Sequence, residues 1–149
     1  MTTTEVDTAR GVVRRQSVYS DDLDGFGMLH HTKYALLFDH AMVDFWNEAG
    51  WVFDPSESVF VIRDLALRYR VPVMTTGSVA VRFWIEEATD SKATYRFEIR
   101  SDDLSTLHAD GTRTIVNLDP QTLRRTPLND AMWAAARPLL PPGFIVPVQ

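Results

Sequence analysis

Tyr19-Ser20-Asp21-Asp22-Leu23-Asp24-Gly25-Phe26-Gly27-Met28-Leu29-His30-His31-Thr32-Lys33-Tyr34 is the stretch on which the reading of the chain turns. Three carboxylates and two glycines make its first half a loop. Its second half opens the longest helical pattern in the sequence. Tyr34, Leu37, Phe38, Ala41 and Phe45 recur at i, i+3, i+4, i+7 and i+11, the apolar stripe of a helix over roughly Lys33–Ala49. Leu36, Met42 and Val43 broaden that stripe, which predicts a helix buried on more than one side, as when a sheet curls around it. Thr32 is the expected N-cap and Gly50 the expected C′ residue. The loop therefore delivers a carboxylate cluster to a helix N-terminus.

Before this stretch, residues 12–19 are β-branched and mixed, a strand. After it, strand patterns recur at 59–69, 79–86, 92–100 and 106–118, with a bulge expected at Asp110-Gly111. Asn129 caps a short helix to about Arg137, and Pro138 begins a Pro-rich end expected to lack regular structure and to lie along the surface or a partner subunit. Strand, long helix, a run of strands with short turns and a short helix describe an α+β domain. The expected division is a flexible tail at 1–10, one domain at 11–137 and a Pro-rich tail at 138–149. Open sheet edges need covering, and dimerisation through an edge strand is one common answer.

Composition narrows the function classes. The 149 residues contain no cysteine, which removes disulfides, thiolate nucleophiles and Cys-ligated metals. A net charge of −5 argues against nonspecific nucleic-acid binding. No run reaches the apolar length of a membrane span and the first residues lack a signal-peptide pattern, so a cytoplasmic protein without membrane attachment is expected. His30, His31 and His40 do not stand at metal-ligand spacing, so no metal site is expected. Phosphate loops and the Gly-x-Ser-x-Gly elbow are absent as well.

Asp22-Leu23-Asp24-Gly25-Phe26-Gly27, followed after a further six residues by Tyr34, and then Tyr69, Pro72 and Gly77 in that order before a strand, resemble the 4-hydroxybenzoyl-CoA thioesterase family over residues 12–128. The resemblance implies the hotdog fold, a curved antiparallel β-sheet wrapped around one long central helix. It also implies hydrolysis of an acyl-CoA or acyl-carrier-protein thioester, no cofactor beyond the CoA of the substrate, and a homo-oligomer (dimer or dimer of dimers) with the site between subunits. Carried onto this sequence, the family's catalytic carboxylate falls on Asp24, as nucleophile or general base, and its oxyanion donor on the backbone amide of His31. Met28-Leu29-His30-His31 and Gly77-Ser78 depart from the family's usual residues at those places.

The residues taken alone permit this chemistry. A carboxylate can attack or activate water, and unpaired amides at a helix N-terminus can stabilise an oxyanion. Gly25 and Gly27 would let the loop approach the thioester. Met28 and Tyr34, nearest the loop, would shape the substrate pocket, and Arg82 and Arg100 are the strand cations proposed for the CoA phosphates. An Asp-rich loop before a helix is also ordinary turn chemistry, and Asp22 is read as structural. Two other activities fit the same fold: a noncatalytic acyl-CoA binding or sensing protein, and a hydratase or dehydratase.

Overall fold

The computed structural model describes residues 10–147, so the expected tail at 1–10 lies almost wholly outside the described residues. Five strands form one antiparallel sheet: β1 (Val12–Val18), β2 (Val59–Tyr69), β3 (Gly77–Ala88), β4 (Lys92–Ser101) and β5 (Leu107–Leu118), in the spatial order β1-β3-β4-β5-β2. Helix α1 (Lys33–Glu48) joins β1 at one edge to β2 at the other, so it must cross one face of the sheet. A second helix, α2 (Asp130–Ala136), follows the last strand.

Period-two alternation explains why the crossing is stable. Val79, Val81, Phe83 and Ile85 of β3 and Ala93, Tyr95, Phe97 and Ile99 of β4 are buried in one cluster with Tyr34, Leu37, Phe38, Ala41 and Phe45 of α1. Phe38 is its centre: its ring stacks on Phe97 at 4.3 Å and meets Phe83 edge-on at 5.5 Å. The opposite face carries polar partners instead, among them Arg82, Glu98 and Arg100 on neighbouring strands.

Two helix ends behave as the sequence predicts. Gly50 adopts φ +80, its amide donates to Asn47 O, and Trp51 N donates to Trp46 O, the paired bonds of a Schellman stop. Asn129 Oδ1 accepts from Met132 N at 2.9 Å and caps α2.

Four local expectations are corrected. Thr32 is already helical and makes no cap with its side chain. Burial of α1 on more than one side fails within this chain, because Leu36 and Val43 remain 43% and 52% exposed. No bulge occurs at Asp110-Gly111. Gly111 pairs with Phe97 in register, and the β4–β5 shift falls where β5 carries His108 as the extra residue. Gly111 is needed for closeness: a Cβ there would collide with Ala66 O and come within 3.0 Å of the Phe97 ring. Finally, the chain after Pro138 is not all irregular, since Arg137–Leu139 form a 3-10 turn, Leu139 is buried in the core, and the Phe144 ring stacks on Trp133. Among the described residues, no helix is long and apolar enough to cross a membrane.

Candidate active site

The acidic loop folds into a tight hairpin. Asp22 N donates to Tyr19 O, and Asp22 Oδ2 accepts from Tyr19 N at 2.8 Å, closing a 3-10 turn over Ser20–Asp22. Asp24 N then donates to Met28 O at 2.7 Å and Gly27 N to Asp24 O at 3.0 Å. Gly27 takes φ +77 at the turn, a conformation that side-chain-bearing residues resist. Gly25 sits at the tip with ordinary backbone and open space around it.

The two oxygens of the Asp24 carboxylate differ in their partners. Its Oδ1 accepts from Phe26 N at 2.8 Å and Met28 N at 3.2 Å, which holds the hairpin. Among the described residues, no hydrogen bond is made to its Oδ2.

The same loop sets the start of α1. His30 N donates to Asp22 O, and His30 O accepts from Lys33 N. His30 Nδ1 accepts from Thr32 N at 3.2 Å and lies 2.7 Å from Thr32 Oγ1, so His30 does the capping expected of Thr32. The acceptor role of Nδ1 puts the ring proton of a neutral His30 on Nε2. His31 becomes the first residue of the helical turn, and no described residue accepts from its amide. That free N–H stands at the positive end of the α1 dipole. Across the cleft, Tyr69 at the end of β2 donates its hydroxyl to His31 O at 2.8 Å.

These groups surround a cleft of about 180 Å³ in which Asp24, Met28, His31 and Tyr34 meet Tyr69, Arg70 and His108. Burial raises the Tyr34 phenol above its ordinary pKa, with added repulsion from Tyr69 and Asp24 and an opposing backbone hydrogen bond at Val73, so it stays a neutral hydroxyl. Its ring meets Tyr69 edge-on at 5.1 Å. Arg70 is held by Asp110 at 2.8 Å. His108, the bulge residue, accepts at its carbonyl from both Arg70 N and Val71 N and binds Val71 O through Nδ1 at 2.8 Å.

Of the residues the sequence singled out, Asp24, Met28, His31 and Tyr34 line this cleft, and Gly25 and Gly27 shape the loop beside it. Arg82 and Arg100 do not line it. Both guanidinium groups are buried and bound to Glu98, at 3.2 and 2.9 Å, on the sheet face turned away from α1. The cation at the cleft is Arg70, which no pattern in the sequence singles out. Tyr69 was legible as part of a motif, but its bond to His31 depends on where β2 ends in space. His108 reads in sequence as a surface strand residue, and only the bulge turns it to the cleft.

A family model described as the thioesterase-like superfamily matches residues 18–136, from the end of β1 through α2. The chain belongs to the thioesterase-like superfamily. Solved structures agree on the fold. A 1,4-dihydroxy-2-naphthoyl-CoA thioesterase from Synechocystis superposes with a TM-score of 0.78 at 15% identity, over 84% of this chain and 94% of that one. A DHNA-CoA thioesterase from Staphylococcus aureus gives 0.74 at 19% identity, over 84% and 87%. Another Staphylococcus aureus protein, solved in complex with CoA, gives 0.76 at 13% identity, over 92% and 94%. No curated protein sequence matches. At such identities the likeness is one of architecture, and this thioesterase-like chain has the hotdog fold.

Proposed function

We propose that this protein hydrolyses an acyl thioester of CoA or acyl carrier protein, with Asp24 as nucleophile or general base and the His31 amide as oxyanion donor. The observation that carries the reading is the meeting, in one cleft, of a carboxylate oxygen with no hydrogen bond and an unpaired helix N-terminal amide. As nucleophile, Asp24 Oδ2 bonds to the carbonyl carbon while the carbonyl π pair moves onto oxygen beside the His31 amide. Collapse breaks the C–S bond, and the thiolate leaves with that electron pair. Water then cleaves the mixed anhydride, releasing the acid and restoring the carboxylate. As base, Asp24 instead takes the proton of a water whose oxygen attacks the same carbon. A thiolate leaves without strong acid assistance, so one carboxylate suffices. The neutral Tyr34 hydroxyl adds a donor without placing a second anion beside Asp24.

The active form in this reading is a homodimer. Leu36 and Val43 on α1 and Ile62 and Leu65 on the edge strand β2 are exposed apolar side chains that a second copy would cover. A two-fold copy would cover the same residues on both protomers. A dimer of dimers remains compatible with this pairing.

The test is thiol release from a panel of short, long and aromatic acyl-CoAs and an acyl carrier protein thioester. Release from at least one is expected. Saturable acyl-CoA binding without release from any substrate would replace the proposal with a sensing role, and hydration of an enoyl-CoA without thiol release would replace it with hydratase chemistry.

A further inference from the structure

A second cavity shares no residue with the Asp24 cleft. It measures about 320 Å³ and lies beside the C-terminal half of α1, between β2 and α2. Its first helical residue, Asp39, is roughly 12 Å along the helix axis from His31. Its walls are aromatic and aliphatic, with Trp46, Trp51, Phe60 and Trp133 among them. Besides Asn47 and the Trp133 indole N–H, an ion pair stands in this lining: Arg113 of β5 and Asp39 of α1, with Nη1 to Oδ1 at 2.9 Å.

Arg113 is 5% exposed and lies over the Phe38 ring at 4.5 Å. A guanidinium carries five N–H donors. Here Nη1 reaches Asp39, Nη2 reaches only the Met42 sulfur, a weak acceptor, and Nε has no partner. Asp39 by contrast is half-exposed, with a carboxylate that accepts in several directions. The cavity thus offers an apolar body site and, at one place, surplus donors beside surplus acceptors.

We propose that this cavity binds an apolar group carrying a hydroxyl, whose oxygen accepts from Arg113 and whose hydrogen is donated to Asp39. The ion pair decides the polar function. A carboxylate would meet the Asp39 charge, an amine would meet the Arg113 charge, and a bare hydrocarbon would leave the surplus donors of a buried cation unmet. A hydroxyl both accepts and donates, and it leaves the pair neutral. The cavity stands at the lower end of the size range for small-molecule sites, which fits a single ring system or a medium chain. The assignment does not depend on the thioesterase reading.

The probes are 1-octanol and octyl methyl ether, which differ in the donated hydrogen, followed by the fluorescence of Trp46, Trp51 and Trp133. Wild-type protein is expected to bind the alcohol about tenfold more tightly than the ether, the worth of a hydrogen bond to a charged partner. Asp39→Leu, which removes the acceptor of the donated hydrogen, is expected to erase that preference. The paired variant Arg113→Met with Asp39→Leu replaces the ion pair by apolar volume, a change that proteins commonly tolerate, and covers a failure of the single variant to fold. Equal binding of the two probes by wild type, no binding of either, or a preference that survives in the paired variant overturns the proposal. Binding is read without turnover. A protein that releases thiol from no acyl-CoA and still prefers the alcohol keeps this site and loses only the thioesterase reading.

Discussion

Replacing Asp24 by Asn and by Ala separates its chemistry from its structural work. The carboxylate holds the hairpin through Oδ1, which takes the Phe26 and Met28 amides, while Oδ2 takes no hydrogen bond from the described residues. Asparagine keeps an acceptor at Oδ1 and loses the anion. The hairpin should survive, and kcat/KM should fall about 10²–10⁴-fold, the usual worth of a positioned base. At 1.36 kcal/mol per decade that is roughly 3–5 kcal/mol of transition-state stabilisation. Alanine loses the same base and also orphans two amides. Phe26 is exposed, so water replaces much of that loss, and the added cost is about 1 kcal/mol of stability, or ~2–4 °C in Tm for a chain of this size. The assay is thiol release under substrate excess, beside thermal melts of all three proteins. Wild-type kcat/KM in Asp24→Asn would remove Asp24 from the chemistry. An Asn variant that loses activity and melts as early as Asp24→Ala would show that the loop, rather than the base, had been lost.

Tyr69→Phe removes the hydrogen bond that fixes His31 and should lower kcat by roughly 2–13-fold, the range for one hydrogen bond, with KM little changed; unaltered kcat would deny Tyr69 a positioning role. Gly111→Ala forces a methyl against the Ala66 carbonyl and should destabilise by about 1–3 kcal/mol, read as a lower urea midpoint. Hydrogen bonds from the Ser101 and Ser105 hydroxyls and the Ser105 amide hold the Asp103 carboxyl down at about 2, below its unfolded value. Its stabilising contribution is therefore full above the unfolded pKa and is lost as pH falls toward about 2. The stability gap between wild type and Asp103→Asn should accordingly narrow from pH 5 to pH 2 in urea titrations. Leu65→Lys with Val43→Glu places charge on two exposed apolar positions of β2 and α1 and should give a monomer by sedimentation, with thiol release lost alongside the partner.

Much of this molecule is decided by local pattern. The alternation in β4 and the i, i+3, i+4 stripe of α1 each follow from which residues must leave water, so the α+β class, the central helix and its Gly50 stop are legible from residues alone. Asp24 and the His31 amide, which the family resemblance picks out, share one short stretch, and a hairpin running into a helix keeps neighbours in sequence neighbours in space. Contacts between distant segments are another matter. Thr32 has the chemistry of a cap, yet the hairpin bonds from His30 N to Asp22 O and from Leu29 N to Val73 O place His30 at that position instead. Arg82 and Arg100 could not be assigned a face until the β3–β4 register set them both against Glu98. Tyr69, Arg70 and His108 reach the cleft only because β2 pairs with β5 at the far edge and the bulge at His108 turns the chain there. Arg113 and Asp39, 74 residues apart, meet for the same reason. Local sequence sets which groups must be buried and which chemistry one loop can hold. Tertiary structure alone decides which remote side chains share a cleft, because strand register and a single inserted residue select the face each one presents.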